Sequence, residues 1–233
     1  MAQQTLELFI DGRFDRRIEF TVTKIINAGY AGRNQEEVRK HIEELKALGV
    51  PAPDKTPTFF PKPANLITVG NYLEVADTDN TGEAEYVLLV GENDEVYVAA
   101  GSDHTDRKLE VTSILKAKQM YPNFISRTVW RLADIEDHWD DIILRAWVNG
   151  QREKVCQEAR LAALLTPRDL LVLVRPLVEG QLAGTVIYSG TVATRSEIAF
   201  SSRFEMELVD EIRGERLYCG YAVKLIDWYK EEG

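Results

Sequence analysis

The sequence predicts an α+β fold that is mostly β. Short runs of β-branched and aliphatic residues recur along the 233 residues, and most are separated by brief turn signals, as in antiparallel hairpins. Only about three stretches have the apolar spacing of a helix. No internal repeat or low-complexity tract interrupts this pattern, and the length suits one large domain with a substantial core.

Composition and charge narrow the classes of function. A formal net charge of −10 disfavours nucleic acid and anionic membranes as partners, because like charges repel, so a small-molecule partner is expected. Cys156 and Cys219 lie far apart without a metal-ligand spacing, so neither a disulfide framework nor a zinc ribbon is expected. The N-terminus lacks a signal-peptide pattern, and no apolar run approaches the roughly 18 residues of a membrane span. The expectation is a soluble protein of the cytoplasm.

The N-terminal part predicts a hairpin, a helix and a connector. Residues 6–26 alternate around the turn pair Asp11-Gly12 and predict a β-hairpin. The glycine-rich loop 27–34 leads into 35–48, where apolar residues recur at helical spacing. The prolines of 51–63 exclude a helix or a central strand, so a linker or an ordered loop lining a site is expected there.

The middle of the chain predicts two strands, a helix and a third strand. Residues 85–90 and 95–100 are strand-like runs separated by a turn signal. A helix is expected over about 107–120, ended by Pro122, and a strand over 126–132.

The C-terminal part predicts further hairpins. A hairpin is expected in which 142–148 pairs with 152–156 across Asn149-Gly150, the strongest short hairpin signal in the chain. A helix is expected over 167–178, and a strand over 185–191 ends in a small-residue turn. The strands predicted last are 203–212 and 216–226.

Three acidic residues near the two central strands predict a metal site. Side chains alternate along a strand, so Glu83 and Glu85 point the same way, and an antiparallel return can bring Asp103 beside them. Buried carboxylates repel one another, and a divalent cation relieves both the repulsion and the cost of burial. Three oxygen donors suit Mg²⁺, Mn²⁺ or Ca²⁺ better than Zn²⁺. The alternative is a solvated strand edge, with Asp103 in an ordinary turn.

Several stretches, in the same order along the chain, resemble motifs of the fumarylacetoacetate hydrolase superfamily. They are Gly32-Arg33-Asn34 before a helix (G-x-N-Y-x-x-H-x-x-E), residues 57–63 (P-x-x-F-x-K-P), residues 83–91 (E-x-E-L-x-x-V-I-G), residues 102–107 (N-D-x-S-A-R-D), Val148-Asn149-Gly150 (V-N-G) and Ser189-Gly190-Thr191 (T-G-T). The form G-S-D-H-T-D-R at residues 101–107 is most similar to a branch of that superfamily known mainly as a domain of unknown function.

The resemblance implies a fold, a domain organisation and an assembly. It implies a mixed β-sandwich roll with a few short helices, formed by a single domain over 1–233. Within it, 1–26 would be an N-terminal hairpin extension and 27–226 the catalytic core. Superfamily members are usually dimers, so a homodimer is expected.

The resemblance also implies a class of reaction. The expected function is that of a metal-dependent hydrolase or lyase, which splits a C–C bond of a small 2-oxo or 2,4-dioxo acid through a metal-chelated enolate. Mg²⁺ or Mn²⁺ would be the cofactor, with Ca²⁺ still open. The alternatives are an isomerase, decarboxylase or hydratase with the same chemistry, or a non-catalytic binding protein that retains the metal.

Four residues are candidates for catalysis. The resemblance puts Lys118 where the superfamily has its active-site lysine; the alternative is an exposed lysine at a helix end. For the general base, His104, His41 and Glu37 remain open, because histidine has the unperturbed pKa nearest neutrality. His104 follows Asp103 directly, and neighbouring strand residues face opposite ways, so this ring can point away from the metal.

Four further residues are candidates for binding the substrate. Thr191, together with the backbone N–H of Gly190, can hold a carboxylate. Arg33 and Arg107 can pair with a second carboxylate. The alternatives are an ordinary strand-end turn and arginines that hold neighbouring loops.

The chain departs from the superfamily pattern in two places. Val38 stands where the pattern has its helix histidine, and His41 where it has the following glutamate. Asp103 follows Glu85 by only 18 positions, which is shorter than the usual interval, so the insertion that often covers the site is not expected.

Overall fold

Most of the chain is organised into two β-sheets that share one hydrophobic core. The computed structural model describes residues 3–47, 53, 55–93, 95–195 and 200–229. Its strands are β1 Gln4–Ile10, β2 Arg17–Val22, β3 Lys24–Gly29, β4 Thr58–Lys62, β5 Ile67–Thr68, β6 Tyr72–Val75, β7 Asn80–Thr81, β8 Ala84–Val90, β9 Val96–Ser102, β10 Thr105–Asp106, β11 Asn123–Ile125, β12 Thr128–Arg131, β13 Ile143–Val148, β14 Val155–Arg160, β15 Thr185–Tyr188, β16 Arg203–Asp210 and β17 Glu215–Leu225. Its helices are α1 Gln35–Ala47, α2 Arg107–Glu110, α3 Ile114–Met120 and α4 Pro167–Val174, and short 3-10 turns connect several of these elements.

The larger sheet contains the strands that lead to the site. Its order is β2-β1-β12-β9-β8-β15-β3-β4, with β11 and β5 beside β9. The second sheet has the order β14-β13-β16-β17-β6, and β7 pairs with β10 in a small ribbon. Tyr86 of β8, Leu208 of β16 and Tyr221 of β17 belong to one buried cluster between the sheets. A second cluster, which includes Val87 and Leu89, covers the other face of the larger sheet. The prediction of a mostly β, α+β fold is confirmed.

The N-terminal hairpin is part of the larger sheet. β1 and β2 pair antiparallel as predicted, with Leu6 opposite Phe20. The predicted second strand was too long, because the chain breaks at Thr23, whose backbone N–H donates to the Gly184 carbonyl at 2.8 Å. After this break, β3 runs parallel to β15 and antiparallel to β4. The proline-rich connector thus supplies β4 at the sheet edge, where a residue without an N–H is tolerated.

Capping residues determine where several of the helices begin. α1 matches the helix predicted after the glycine-rich loop. The single helix predicted over 107–120 is wrong, because the side chains of Asp106 and Ser113 each cap a new helix and so divide the segment into α2 and α3. α4 ends at Val174, and Pro176 lies in a following 3-10 turn, since proline lacks the N–H that would continue the helix. None of the helices in the described part of the chain is long and apolar enough to cross a membrane.

The C-terminal hairpins form where they are predicted, although the return strand expected over 152–156 is β14, which runs from Val155 to Arg160. β13 and β14 pair across Asn149-Gly150, where both residues have positive φ, 54° and 71°. These two residues form a tight turn in which the Gln151 N–H donates to the Val148 carbonyl at 3.0 Å. Asparagine and glycine adopt its left-handed backbone most readily. Residues 151–154 then precede β14, so the whole connection is longer than the two-residue loop that the pair favours. β16 and β17 pair antiparallel through their lengths, and β17 continues the sheet to β6.

Candidate active site

Three carboxylates converge at one end of the β8–β9 pair. Glu85 of β8 lies opposite Gly101 of β9. Glu83 precedes β8 and Asp103 follows β9, and the Asp103 N–H donates to the Glu83 carbonyl at 3.1 Å. Glu83, Glu85 and Asp103 each offer a carboxylate oxygen, and these oxygens lie within 4.8 Å of one another. Glu85 and Asp103 are fully buried, whereas 12% of the Glu83 side chain is exposed. The three side chains that the sequence spacing predicts to be neighbours therefore lie together in the structure.

Two oxygens of this carboxylate cluster have no hydrogen-bond donor. The Gly190 N–H donates to Glu85 Oε2 at 2.8 Å, and Lys118 Nζ donates to Asp103 Oδ2 at 2.6 Å. Within the described residues, Glu85 Oε1 and Asp103 Oδ1 are buried without a hydrogen-bond partner. Burying an unpaired acceptor costs about 1–3 kcal/mol, and more when it is charged. Both oxygens are therefore places where a cation would be favourable.

Lys118 joins the carboxylates from α3. Its Nζ lies 2.9 Å from Glu83 Oε2, in addition to its bond to Asp103. Burial lowers the pKa of Lys118, but the carboxylates, above all Asp103, outweigh burial and raise it above its ordinary value. Arg107 donates to Glu83 Oε1 at 2.9 Å. Burial opposes the charged form of Glu83, yet these two cations lower its pKa to about 2. Burial, and then Asp103, raise the pKa of Glu85 well above its ordinary value.

Lys62 is a second buried lysine at the cluster, and the sequence analysis gave it no role. It lies at the end of β4, and its Nζ donates to the Lys118 carbonyl and to Asn123 Oδ1. The same Nζ is 3.7 Å from Asp103 Oδ1. Burial lowers the pKa of Lys62 to about 8, although Asp103 opposes this shift. Its place inside the P-x-x-F-x-K-P motif was the available signal, but that motif alone did not indicate which way the side chain points.

A cleft of about 710 Å³ opens above the cluster. Glu83, Lys118 and Arg107 line it, whereas Glu85 and Asp103 lie buried beyond this lining. The full lining comprises Ala28, Gly29, Tyr30, Ala31, Gly32, Glu37, Val38, Phe60, Glu83, Arg107, Glu110, Ile114, Lys118, Glu158, Ala159, Ala163, Leu164, Thr191, Val192 and Ala193.

The three candidate bases have different surroundings. His104 is buried outside the cleft lining, with Nε2 2.8 Å from Asn80 Oδ1 and Nδ1 2.9 Å from Tyr221 Oη. Burial lowers its pKa to about 3. Glu37 is exposed and lines the cleft. His41 belongs to α1, but its side chain lies outside the described part of the structure.

The two candidate arginines are placed differently. Arg33 donates from both terminal nitrogens to Asp140, at 2.7 and 2.8 Å, and from Nε to the Leu164 carbonyl at 2.9 Å. It does not line the cleft and holds a neighbouring loop. Arg107 does line the cleft, and it is bonded to Thr81 and Glu110 as well as to the carboxylate cluster.

The turn at Gly190 and Thr191 supports the carboxylate cluster from the side of β15. Gly190 has a φ of +81°, and its N–H is used by Glu85. The Thr191 hydroxyl donates to the Ala84 carbonyl at 2.8 Å and accepts from Gln157 at 2.7 Å. Thr191 lines the cleft, but its hydroxyl hydrogen already has an acceptor.

Tyr30 is a cleft residue that the sequence analysis did not select. Its φ of +55° lies in the left-handed region, which is uncommon for an aromatic residue and often marks a functional position. Burial and then Glu110 raise the pKa of its hydroxyl. The sequence signal was its place in a glycine-rich loop, Gly29 to Gly32, although Tyr30 itself is no usual turn residue.

The fold of this chain has relatives among solved structures. Solved structures of fumarylacetoacetate hydrolase family proteins share the fold. A Burkholderia cenocepacia protein proposed to be a fumarylpyruvate hydrolase aligns with a TM-score of 0.67 and 18% identity, covering 97% of this chain and 97% of that one. The 2-hydroxyhepta-2,4-diene-1,7-dioate isomerase from Mycobacterium marinum aligns with a TM-score of 0.63 and 16% identity, covering 93% of this chain and 82% of that one. An Oleispira antarctica protein proposed to be a fumarylacetoacetate isomerase/hydrolase aligns with a TM-score of 0.62 and 22% identity, covering 96% and 100%.

The sequence identifies the particular family within this fold. The model of the family described as "Protein of unknown function (DUF2848)" matches residues 28–221. The chain belongs to this family. No curated protein matched the chain.

Proposed function

We propose that this protein is a divalent-metal-dependent hydrolase or lyase that cleaves a C–C bond of a small 2-oxo or 2,4-dioxo carboxylic acid. One observation carries the proposal: three carboxylates from neighbouring strands converge beside a cleft, and two of their buried oxygens lack a donor. The structural neighbours include hydrolases and isomerases, which supports an enzymatic role.

The residues present fit a hard cation. The donors of Glu83, Glu85 and Asp103 are all oxygens, which Mg²⁺ and Mn²⁺ prefer. Oxygens bound to one Mg²⁺ lie about 3 Å apart when adjacent and about 4.2 Å apart when opposite, so donors within 4.8 Å of one another need only a small side-chain movement to share such an ion. Glu85 Oε1 and Asp103 Oδ1 have the unsatisfied acceptor capacity that such an ion would use. When bound, the ion would supply Lewis-acid polarisation of the substrate carbonyl.

The chain's own side chains would perform the remaining tasks. Lys118, held between Glu83 and Asp103, presents a positive charge at the cleft floor. A preorganised cation of this kind stabilises negative charge that develops on a substrate oxygen, typically by a few kcal/mol. Glu37 lines the same cleft and could take a proton from water, as could His41 on the same helix. His104 is a poorer candidate, because both of its ring nitrogens are already bonded.

Metal titration of isosteric variants tests the proposal. Glu85→Gln and Asp103→Asn keep the size of each side chain but remove a charged ligand. We expect each to weaken Mg²⁺ or Mn²⁺ binding at least about 100-fold, since even indirect ligand partners are worth 10–100-fold. Isothermal titration calorimetry measures the affinity. Glu92→Gln removes the same charge from an exposed turn and should bind metal like the wild type.

Turnover is measured with a panel of 2-oxo and 2,4-dioxo acids, as metal-dependent loss of ultraviolet absorbance. Product analysis separates the alternative reactions. Hydrolysis gives two acids, an isomerase gives a product of unchanged mass, and a decarboxylase releases carbon dioxide. Isomerases among the structural neighbours make this comparison necessary. Metal binding without any turnover would favour a non-catalytic binding protein, and wild-type metal affinity in both ligand variants would contradict the proposed site.

A further inference from the structure

The cleft has a charged floor and largely apolar walls. We call its charged part the floor; it contains Glu83, Lys118, Arg107 and Glu110, which are joined by hydrogen bonds. The larger wall side chains are Tyr30, Val38, Phe60, Ile114, Leu164 and Val192. A substrate held at the floor by its oxo-acid group would therefore extend its tail along carbon surfaces.

The cations of the cleft are already engaged. Among the described lining residues, Lys118 and Arg107 are the positively charged ones. Lys118 donates to two carboxylates of the cluster. Arg107 donates to Thr81, Glu83 and Glu110. Neither of these two cations is therefore free to pair with a second substrate carboxylate near the apolar walls.

Carboxylates also line the cleft away from the metal cluster. Glu37 is exposed at the start of α1, and Glu158 lines the cleft from β14. Glu158 accepts from Arg145 at 2.9 Å and from Arg195 at 2.8 Å, so these arginines are committed to it. A distal carboxylate would lose water against apolar side chains and meet like charge at Glu37.

The Val38 side chain, which forms part of the cleft wall, packs against the backbone of Gly32. A Cβ added to Gly32 would lie 2.8 Å from Val38 Cγ2, so the Gly32 backbone packs directly on this side chain. Val38 therefore has a defined position facing the cleft, and it makes that wall apolar where a polar residue would have offered a hydrogen bond.

We propose, as an inference that rests on the proposed function, that the substrate is an oxo-acid with a single carboxylate and an uncharged, apolar tail. The carboxylate and oxo group lie at the charged floor, and the tail packs between the walls. The cleft discriminates against oxo-acids with a second carboxylate at the far end of the tail.

Matched pairs of simple 2-oxo acids test this substrate class by binding alone. They lack a 4-oxo group and so have no bond between a methylene shared by two carbonyl carbons and a 4-oxo carbon to hydrolyse, and product analysis run in parallel checks that they stay intact during the titration. The metal-loaded protein is titrated with 2-oxopentanoate, 2-oxohexanoate and 2-oxooctanoate, and with 2-oxoadipate, which is 2-oxohexanoate with its terminal methyl group replaced by a carboxylate. We expect affinity to rise about fourfold for each buried methylene. We expect 2-oxohexanoate to bind at least about tenfold more tightly than 2-oxoadipate.

Two lysine variants sharpen the test. Val38→Lys adds a cation to the cleft wall and should reduce or reverse the preference for 2-oxohexanoate. Val172→Lys adds the same charge at an exposed valine of α4 outside the cleft lining and should leave the preference unchanged. Tighter binding of 2-oxoadipate by the wild type, or affinity independent of tail length, would overturn the inference while leaving the proposed function intact. If no 2-oxo acid binds the metal-loaded protein, the inference is overturned, and the separate turnover panel with 2,4-dioxo acids decides the proposed function.

Discussion

At the scale of single residues, His104 illustrates how surroundings decide what a histidine can do. It follows a metal-ligand candidate in the sequence, yet alternation turns it to the opposite face, between Asn80 and Tyr221. Tyr221 Oη also lies 2.9 Å from Ser102 Oγ, so the ring belongs to a buried polar network that joins both sheets. This placement favours a structural role over that of a general base.

Because His104 is buried in its neutral form, the stability of the protein should depend on pH. Its folded pKa of about 3 lies below the unfolded value of about 6.5, so the unfolded chain binds the proton first as pH falls. Neutral, buried His104 therefore costs the folded state nothing above about pH 6.5. As the pH falls from there towards 3, the free energy of unfolding decreases, and at pH 5 the decrease is about 2 kcal/mol. Urea unfolding from pH 4 to 7 should therefore show a steeper acid loss in the wild type than in His104→Asn. Parallel stability curves would contradict this, because the carboxylates titrate in both proteins.

The two lysines of the site differ although both are buried. Lys118 lies against two carboxylates, and their attraction exceeds the cost of burial and raises its pKa. Lys62 has a carbonyl and an amide as its close partners, with Asp103 further away at 3.7 Å, so burial dominates and its pKa falls to about 8. Residue type alone predicts neither direction; the partners decide it.

At the scale of elements, the β8–β9 pair positions the carboxylates through close backbone packing. Gly101 lies opposite Glu85, and a Cβ there would meet Val87 Cγ2 at 2.5 Å and the Phe124 carbonyl oxygen at 2.9 Å. A backbone oxygen cannot rotate away as a side chain can. The two strands can therefore approach β11 only because this position has no side chain.

Gly101→Ala should lower stability by about 1–3 kcal/mol, the usual cost of overpacking, and weaken metal affinity by displacing the two strands. Gly91→Ala, at the other end of the same hairpin, is the milder comparison: its Cβ meets the Glu95 carbonyl oxygen at 3.2 Å, so only a small shift is needed and the loss of stability should be smaller. Urea unfolding followed by circular dichroism measures stability, and Mn²⁺ titration measures affinity. Equal stabilities for the two variants would show that the packing around Gly101 is not limiting.

Local sequence patterns predicted the elements whose partners are near in the chain. Alternation and a short return predicted the neighbourhood of Glu83, Glu85 and Asp103, and Asn149-Gly150 predicted its hairpin. The short strands β5, β6 and β11 were missed, because each is defined by a distant partner rather than by its own pattern. β6, for example, pairs in parallel with β17, which is far along the chain. Long-range contacts also determine the roles of Lys62 and of the Gly190 N–H, so local sequence alone could not predict them.

At the scale of the whole molecule, the site is built on a strand that is buried on both faces. Every residue of β8 is buried. Tyr86 and Leu88 belong to the core between the sheets, whereas Val87 and Leu89 belong to the cluster on the opposite face. Glu85 thus projects from a strand that two apolar clusters fix in place. Because those clusters contain no metal ligand, the fold should persist when the ion is removed.

Thermal unfolding with and without metal tests this independence of fold and ion. A ligand that binds only the folded state at 100 times its Kd adds about 2.7 kcal/mol. For a chain of this length that corresponds to a rise in Tm of about 5–11 °C. We therefore expect Mg²⁺ or Mn²⁺ to raise the Tm by this amount, and EDTA to reverse the rise while the far-ultraviolet circular dichroism at 25 °C stays unchanged. Glu85→Gln should abolish the rise, and Glu92→Gln should keep it. Loss of the β-sheet signal in EDTA would instead assign the ion a structural role, and the absence of any shift at millimolar metal would contradict a cation site at these carboxylates.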